Sequence, residues 1–493
     1  MMKTTPSGIF QNLDAWDPAA LRRQLRKGGF HRESLDALGM PANWLRPGSG
    51  GAALLGHAPE GSPVNTLLRL FTLGVPVSGD EAFHALGDAI HGLLELGFLE
   101  AGGGVVRSLY QMQPVATGWL ASDFLTRKED NIPDFVMGIG LSSMLLASLA
   151  PPVTGRVLEL ACGIGWLAGN LAKTGLPVVA TDLNPRALAL ARFSAKLCDI
   201  QGIDFRLGDG FSAVAGEEFD LIVSNPPFVQ SPGGQMIYRE SEPGDSICAR
   251  LLRDVPGHLA PRGTAVILIN WTHATDDDWT AAPLSWVQAD GTRRWLFQTE
   301  CSSPADYAWK WISVDPRFQG EQAAKEEIRR WLTFYQQSGV KRISGGFMVV
   351  QKCLPGGEWT RTDSRALDKI DAIAGIEVRR ILENQTWLVA DHDLLETRFE
   401  VPDGVRAEAR MNLGPDGWNR ETIRLTSPAR LSYDGQIDEN ILRLLAVVRE
   451  GKTPAAMVAE ILERPEFAAV PDIPERITEL VRDLVSHGIL IPS

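Results

Sequence analysis

The segment FDLIVSNPPFV contains four residues whose types suit them to hold a flat nitrogen-containing group: Asn225, Pro226, Pro227 and Phe228. The two prolines end the ladder of a predicted strand and stiffen the turn that follows it. The Asn225 side chain and nearby carbonyl groups can accept hydrogen bonds from an incoming N–H, and the Phe228 ring can stack on a planar group. A plain proline turn would look similar, but the position after the fourth predicted strand of a series favours a binding site for an amide or an exocyclic amine.

A glycine-containing loop follows the first strand of this series, in the segment VLELACGIGWLAG. Glycine after a strand lets the backbone approach a ligand where a Cβ atom would clash, and the helix that follows begins with free N–H groups. Such a loop alone would serve a dinucleotide enzyme equally well. The candidate ligand-binding residues here are Glu159, Ala161, Cys162, Gly163 and Gly165.

Two acidic residues at the ends of the next two strands extend this candidate site. Asp182 ends the second strand, where a carboxylate can accept hydrogen bonds from both hydroxyl groups of a ribose. Asn184 is the better N-cap for a helix that begins at Pro185, which leaves Asp182 free for a ligand. Asp209 follows the third strand and could accept a hydrogen bond from an adenine amino group, although Asp209 with Gly210 is also typical of a plain turn.

The elements that must position these residues alternate between short apolar strands and amphipathic helices from Val157 onward. This alternation is typical of a parallel sheet with crossover helices. A helix in LSSMLLASLAP is predicted before the first strand, and Pro151 and Pro152 end it. The predicted strands are RVLELA, LPVVATD, IDFRLG, FDLIVSN, TAVILIN, WLFQTEC and GGFMVVQKC, with the long helix EQAAKEEIRRWLTFYQQSG between the last two.

In combination, E-x-A-C-G-x-G, T-D-L-N-P, G-D and S-N-P-P-F resemble the class I S-adenosylmethionine-dependent methyltransferases of the methyltransferase small domain and protein-glutamine methyltransferase group. The resemblance covers about residues 156–352. It implies an α/β, Rossmann-like fold with a seven-stranded sheet, S-adenosyl-L-methionine as the cofactor, and an enzyme that methylates a planar nitrogen.

The resemblance also implies roles for individual residues. Glu159 and Gly163 would line the methionine end of the cofactor, Asp182 would hold the ribose, and Asp209 and Gly210 would flank the adenine. The stretch from Asn225 to Phe228 would hold the methyl acceptor. The other predicted cofactor-binding residues are Ala161, Cys162, Gly165, Leu183, Asn184 and Asn225.

Two residues depart from the pattern of this group. Ala161 replaces a more usual glycine, a small change that should be tolerated. Phe228 replaces the tyrosine that is usual in protein-glutamine methyltransferases, and phenylalanine is frequent in base N-methyltransferases of the wider group.

The sequence therefore leaves two acceptors open. One is a side-chain amide (Gln or Asn) of a protein or peptide, including a ribosomal peptide natural-product precursor. The other is a nucleobase amine such as guanine N2 or adenine N6 in RNA or DNA. A third interpretation, a binding protein that has lost activity, is disfavoured by the intact Glu159, Asp182 and Asn225.

Composition favours the first acceptor. The chain has 493 residues and a formal net charge of −13, whereas a protein held on nucleic acid by phosphate contacts is more often basic. The five cysteines are scattered and the eight histidines show no ligand spacing, so no metal site is predicted. Without a signal pattern or a run of eighteen apolar residues, we expect a cytoplasmic protein with no membrane span. The oligomeric state has no sequence signature here.

Three domains are predicted, two of them flanking the catalytic one. Residues 1–118 would form an N-terminal helical domain with a winged-helix-like part at about 62–118. Residues 119–354 would form the methyltransferase domain. Residues 355–493 would form an α+β domain that again becomes winged-helix-like from about residue 436.

Some weaker candidates surround the predicted site. The segment FVMGIGLSS (135–143) could cover the cofactor, and PGGQMIYRESEPGD (232–245) could form part of the acceptor pocket. The side chains that could orient or enclose an acceptor are Tyr238, Arg239, Asp245, Trp271, Trp309 and Trp311. Because the chain has 14 tryptophans, most of them should serve as packing.

Overall fold

The computed structural model describes residues 9–10, 12–40, 54–124, 134–232, 240–241, 247–275, 278–313, 315, 318, 320–366, 373–414, 417–464 and 472–493. A mixed eight-stranded sheet lies at the centre of this part of the chain. Its strands, numbered in chain order, are β1 (Val157–Leu160), β2 (Val178–Asp182), β3 (Ile203–Leu207), β4 (Phe219–Ser224), β5 (Leu259–His273), β6 (Thr292–Ser302), β7 (Arg342–Lys352) and β8 (Trp359–Ser364).

Across the sheet the strands lie in the order β3, β2, β1, β4, β5, β7, β6, β8. Strands β1 to β5 are parallel, β7 is antiparallel to β5 and β6, and β8 is parallel to β6. The predicted α/β class and the seven predicted strands are confirmed. Strand β8 extends the sheet past residue 354, the predicted end of this domain.

Alternate side chains of the strands enter two apolar cores, one on each face of the sheet, because neighbouring residues in a strand point to opposite faces. Val157 belongs to the core that includes the helix Leu141–Leu149, whereas Leu158 belongs to the core that includes the helix Ile247–His258. The helices Trp166–Ala172, Pro185–Leu197 and Ala374–Trp387 complete the first core. Pro304–Ile312 packs with Glu321–Gln337 in a smaller cluster beside the acceptor segment.

The N-terminal unit packs on the helix Pro185–Leu197 of the central domain through Phe193 and Leu197, which belong to the N-terminal core. Its helices are Ala19–Lys27, Arg32–Ala37, Pro63–Leu67 (continued by a π turn over Leu68–Thr72), Gly79–Leu86 and Ala89–Glu95. Its strands Val77–Ser78, Leu99–Gly102 and Val105–Ser108 form one sheet, and Gln111–Val115 pairs with Gly118–Ser122 in a hairpin. The order helix, strand, helix, helix, strand, strand fits the winged-helix interpretation, which stays a prediction.

The C-terminal unit begins with the helix Ala374–Trp387, which contacts the helices Leu141–Leu149 and Ile473–Ser486. The buried Glu377 carboxylate accepts hydrogen bonds from the backbone N–H groups of Ala429 and Ser432. The remaining elements are Phe399–Glu400, Arg406–Gly414, Gly417–Thr426, Asp434–Ile437, Glu439–Arg449, Pro454–Leu462, Ile473–Ser486 and Ile491–Pro492. The two predicted domain boundaries, after residues 118 and 354, and the second winged-helix assignment stay predictions.

None of the described helices is long and apolar enough to cross a membrane. The cytoplasmic location expected from the sequence stays a prediction.

Candidate active site

A cavity of about 550 Å³ opens at the carboxyl ends of β1, β2 and β4, the edge at which ligands bind in open α/β sheets. It brings together nearly all of the residues predicted from the sequence. Those that line it are Glu159, Ala161, Cys162, Gly163, Asp182, Leu183, Asn184, Asp209, Gly210, Asn225, Pro226, Pro227 and Phe228. The predicted covering segment also lines the cavity, from Phe135 to Ser143.

The loop after β1 requires left-handed backbone at three positions. Ala161, Gly163 and Gly165 have φ values of 54°, 54° and 70°. Gly163 has no neighbouring atom within 4 Å of the place where a Cβ would stand, so its missing side chain leaves the cavity open. Gly165 does not line the cavity: a Cβ there would lie 3.0 Å from the Ala191 Cβ atom, so Gly165 serves the close packing of the loop against the helix behind it.

Replacing Gly165 with alanine is expected to lower the melting temperature more than the same change at Gly175. Both glycines have positive φ, 70° and 86°, so each substitution adds backbone strain of about 1–2 kcal/mol. Only at Gly165 would the new Cβ meet neighbouring side chains, because Gly175 has nothing within 4 Å. Differential scanning calorimetry of the two variants measures the difference, and equal melting temperatures would contradict this account of Gly165.

Asp182 ties the ends of β1 and β2 together at the cavity wall. Its Oδ2 accepts from the Gly163 backbone N–H at 2.8 Å, and its Oδ1 accepts from the Asn184 N–H at 2.8 Å. Burial raises the pKa of Asp182 above its ordinary value, against the opposing effect of these hydrogen bonds. The Asn184 side chain accepts from the Arg186 N–H at 2.9 Å and caps the helix Pro185–Leu197, as the sequence predicts.

Glu159 lies at the floor of the same cavity and is almost completely buried. Burial raises its pKa to about 8, although the Ala168 backbone N–H donates to Glu159 Oε2 at 2.7 Å and opposes the shift. Cofactor-free protein therefore holds Glu159 protonated at pH 7. Asp209, by contrast, is half exposed at the rim, where Arg250 lies 3.3 Å from its Oδ2 atom.

Asn225 is held in one orientation by two serines of the helix Leu141–Leu149. Its Nδ2 donates to Ser142 Oγ at 3.0 Å and to Ser143 Oγ at 3.1 Å. Both amide hydrogens are then used, and the Asn225 Oδ1 atom is the group left to accept a hydrogen bond in the cavity. At the same strand end, Ser224 Oγ donates to the Leu160 carbonyl at 3.0 Å and fixes β4 against β1.

The wall that faces the Asn225–Phe228 turn comes from β5, β6 and the helix Pro304–Ile312. Asn270, Thr299, Glu300, Lys310 and Trp311 line it. Lys310 Nζ lies 2.6 Å from Glu300 Oε2, and the rings of Phe228 and Trp311 meet edge to face with centroids 6.4 Å apart. The Asn270 Nδ2 donates to the Tyr307 hydroxyl at 2.7 Å, which fixes that carboxamide as well.

Four residues of this wall were not predicted from the sequence: Asn270, Thr299, Glu300 and Lys310. The available signal was their position: Asn270 lies near the carboxyl end of β5, Thr299 and Glu300 lie near that of β6, and Lys310 lies in the helix after β6. These strand ends lie at the same edge of the sheet as those of β1 and β4. Among the three tryptophans considered, Trp311 is at the cavity and Trp309 is exposed outside its lining. Trp271 is buried, with its Nε1 donating to the Trp279 carbonyl. Tyr238, Arg239 and Asp245 lie outside the described residues.

Within the described part of the chain, no group of three or more His, Cys, Asp or Glu residues could hold a metal ion. All five cysteines are free, and burial raises the pKa of Cys162 far above its usual range, so this thiol stays protonated beside the cavity.

Comparison with known proteins identifies the class. The family model "Methyltransferase small domain" matches residues 134–277. Two further models, each described as a domain of unknown function, match residues 45–109 and 379–492.

Several proteins named as methyltransferases are similar in sequence to the central domain. A release factor glutamine methyltransferase of Koribacter versatilis is 34% identical over 27% of this chain and 54% of its own length. A ribosomal RNA small subunit methyltransferase C of Chromohalobacter salexigens is 35% identical over 26% of this chain and 36% of its own length. A candidate protein N5-glutamine methyltransferase of Methanocaldococcus jannaschii is 32% identical over 26% of this chain and 68% of its own length.

The fold and these matches define the central domain as a class I S-adenosylmethionine-dependent methyltransferase domain, so the predicted cofactor and enzyme class are confirmed for this domain. The chain belongs to the methyltransferase small domain family. The first relatives are matched over only 54% and 36% of their own length. Membership of the family therefore does not show that this protein acts on the same substrates.

Proposed function

We propose that this protein transfers a methyl group from S-adenosylmethionine to the nitrogen of a side-chain amide, Gln or Asn, in a protein or peptide. The observation that carries the proposal is the orientation of Asn225, whose amide hydrogens are bound to Ser142 and Ser143 so that its oxygen is left for an incoming N–H. The relatives named as glutamine methyltransferases support the same acceptor. A ribosomal peptide precursor would be one member of this substrate class.

Two features of the cavity support binding of the cofactor, one at Gly163 and one at Asp182. The open space in front of Gly163 can admit a ligand close to the backbone, and each Asp182 oxygen still has a lone pair for a ribose hydroxyl. We assign the ribose to Asp182, the adenine to Asp209 and Gly210, and the methionine end to Glu159. Ala161, Cys162, Gly163, Leu183 and Asn184 complete the cofactor wall.

When bound, S-adenosylmethionine supplies a methyl group that its sulfonium already activates. The protein must therefore mainly align the acceptor and exclude water. An amide nitrogen is a poor nucleophile because its lone pair is delocalised. Hydrogen bonds from its N–H groups to Asn225 Oδ1 and to the Pro226 carbonyl would strengthen as positive charge develops on the nitrogen, which is the change that lowers the barrier. The proton can leave after transfer, so no general base is required.

The charges around the cavity favour a protein over a nucleic acid. Lys310 is the one basic residue among the described residues that line it, and Glu300 pairs with this ammonium at 2.6 Å. The other acidic lining residues are Glu159, Asp182 and Asp209, which we assign to the cofactor. Phosphate groups bound next to the acceptor would meet the Glu300 carboxylate and gain little from an ammonium that is already paired with it.

The predicted winged-helix part of the N-terminal unit, residues 62–118, also offers few groups for phosphate contacts. A winged helix that binds DNA presents basic residues to the backbone. Residues 62–118 instead hold two arginines and five acidic residues, and both arginines are paired, Arg69 with Glu81 and Arg107 with Glu100. This charge pattern fits a unit that contacts protein or peptide.

A nucleobase amine is the second candidate acceptor. It is favoured by the aromatic faces of Phe228 and Trp311 in one cavity, which could enclose a base removed from its stack, and by relatives named as ribosomal RNA methyltransferases. The same Asn225 oxygen would then accept from the exocyclic amine.

The affinity for S-adenosylmethionine is expected to rise with pH between pH 6 and 7.5, by up to about tenfold per unit. Free protein holds a proton on Glu159 because its pKa is raised to about 8, and the ammonium group of the ligand favours the ionised carboxylate, so binding releases that proton. The same pKa shift affects folding. As the pH rises from 4.5 through about 8, Glu159 ionises in the unfolded protein before it ionises in the folded one, so the stability of the cofactor-free protein falls over this range. Titration calorimetry in two buffers of different ionisation enthalpy measures the proton release. Glu159→Gln should abolish it, and an unchanged release in that variant would refute the assignment.

The acceptor class can be tested with radiolabelled S-adenosylmethionine in lysate of the host organism, with Asn225→Ala as the blank. We expect label in macromolecules that resists nuclease and is lost with protease. Label lost with nuclease would replace the amide proposal with the nucleobase one.

A further inference from the structure

Residues 134–140, the cover segment, are held by the N-terminal unit, and Phe135 to Gly140 of this segment line the cofactor cavity. Asp123 follows the hairpin strand Gly118–Ser122 and contacts Val136 twice. Its backbone N–H donates to the Val136 carbonyl at 3.0 Å, and its carboxylate Oδ2 accepts from the Val136 N–H at 2.8 Å. Gly138 lies against the same hairpin, since a Cβ there would be 3.0 Å from Gln113 Oε1.

The Asp123 carboxylate is completely buried and is neutralised by Arg186, whose side chain is 12% exposed. Two guanidinium nitrogens of Arg186 donate to the two carboxylate oxygens of Asp123. This bidentate geometry fixes the orientation of the guanidinium group relative to the carboxylate. Burial disfavours the Arg186 cation, but the hydrogen bonds and charge of Asp123 outweigh this effect and hold the pKa of Arg186 above its ordinary value. The guanidinium carbon also lies 5.2 Å from the centre of the Tyr110 ring, which belongs to the N-terminal core.

Arg186 stands in the first turn of the helix Pro185–Leu197, directly after the proposed ribose site. The Arg186 backbone N–H donates to Asn184 Oδ1, and Asn184 Nδ2 donates to the Asp134 carbonyl at 2.9 Å. The Asn184 N–H in turn donates to Asp182. A continuous set of hydrogen bonds therefore joins the N-terminal hairpin, the cover segment and the carboxylate proposed to bind the ribose.

We propose that Asp123 and Arg186 are positioning residues for the cofactor: through them the N-terminal unit holds the cover segment in place over the cavity. This inference rests on the proposed cofactor site. Binding of the cofactor and docking of the N-terminal unit are then reciprocally coupled, because each stabilises the arrangement that the other needs. A ligand that binds this unit and changes its docking would change the affinity for the cofactor, and the cofactor would change the affinity for that ligand by the same factor.

The test compares binding of S-adenosylhomocysteine to the full chain and to the variants Asp123→Asn and Arg186→Lys. Calorimetry at low temperature, with each variant shown to be folded by circular dichroism, gives the Kd. We expect both substitutions to weaken binding by roughly 5- to 150-fold, the usual range of such coupling. Hydrogen exchange should also show that the ligand no longer protects residues 134–140 in the variants. Arg186→Lys keeps the charge and loses only the bidentate geometry, so it remains informative if Asp123→Asn does not fold.

Two control variants separate positioning from general destabilisation. Leu25→Ala empties part of the buried N-terminal core and leaves Asp123 and Arg186 in place, and Glu100→Gln removes the exposed pair with Arg107. Both should leave the Kd of the folded protein within about twofold of wild type. An unchanged Kd in folded Asp123→Asn and Arg186→Lys would overturn the positioning role, whereas failure of the wild type to bind S-adenosylhomocysteine would overturn the proposed cofactor site itself.

Discussion

Replacing Asn225 with alanine is expected to slow methyl transfer by about 100- to 1,000-fold, the usual cost of removing one preorganised group that stabilises transition-state charge. The sequence also predicts a cofactor contact for Asn225, but we assign its oxygen to the acceptor alone, because its amide hydrogens are bound to Ser142 and Ser143. The Kd for S-adenosylhomocysteine should therefore stay within about twofold of wild type. Single-turnover transfer of labelled methyl to the substrate recovered from lysate, together with calorimetry, separates the two quantities.

The double variant Ser142→Ala, Ser143→Ala is the matched control for this prediction. It keeps the Asn225 carboxamide but removes both acceptors that fix its orientation. The rate should fall, though less than in Asn225→Ala, because the oxygen is still present for part of the time. A rate in Asn225→Ala close to wild type would show that the acceptor is held by other residues.

Replacing Asp182 with alanine is expected to weaken binding of S-adenosylhomocysteine by more than about 100-fold. Two hydrogen bonds from ribose hydroxyls to a carboxylate contribute about 1.5–3 kcal/mol each, and 1.4 kcal/mol corresponds to a factor of ten. The substitution also removes the acceptor that holds the Gly163 N–H at 2.8 Å, so the loop after β1 loses its fixed shape. Calorimetry at 25 °C gives the Kd directly.

Leu183→Ala is the neighbouring control, since Leu183 lines the cavity but is half exposed and carries no polar group. We expect its Kd to change by less than about tenfold, as suits the loss of a partly buried apolar side chain. Equal effects at positions 182 and 183 would contradict the assignment of the ribose to the carboxylate.

The sequence was sufficient to predict the site wherever one strand and the residues after it determine a function. Asp182 and Asn184 are an example. Capping preferences alone identify Asn184 as the N-cap of the helix that begins at Pro185, which leaves the Asp182 carboxylate available to a ligand. Gly165 shows the limit of this reasoning: a glycine after a strand can serve the ligand or the packing behind the loop, and only the position of Ala191 decides between them.

Contacts between distant segments could not be predicted. Glu300 and Lys310 meet across the acceptor wall, and Asp123 meets Arg186 across 63 positions of sequence. Such pairs have no local pattern, because the fold alone brings them together. The same reason explains β8, whose polar sequence WTRTDS resembles a surface loop until its pairing with β6 is known.

The most direct test of the account is to identify the methylated residue. Substrate labelled by the wild-type protein, and not by Asn225→Ala, is digested completely with proteases and nucleases, and the labelled product is identified by mass spectrometry. We expect N-methylglutamine or N-methylasparagine. A methylated nucleoside, such as N2-methylguanosine or N6-methyladenosine, would contradict it and would assign the same Asn225 oxygen to a base.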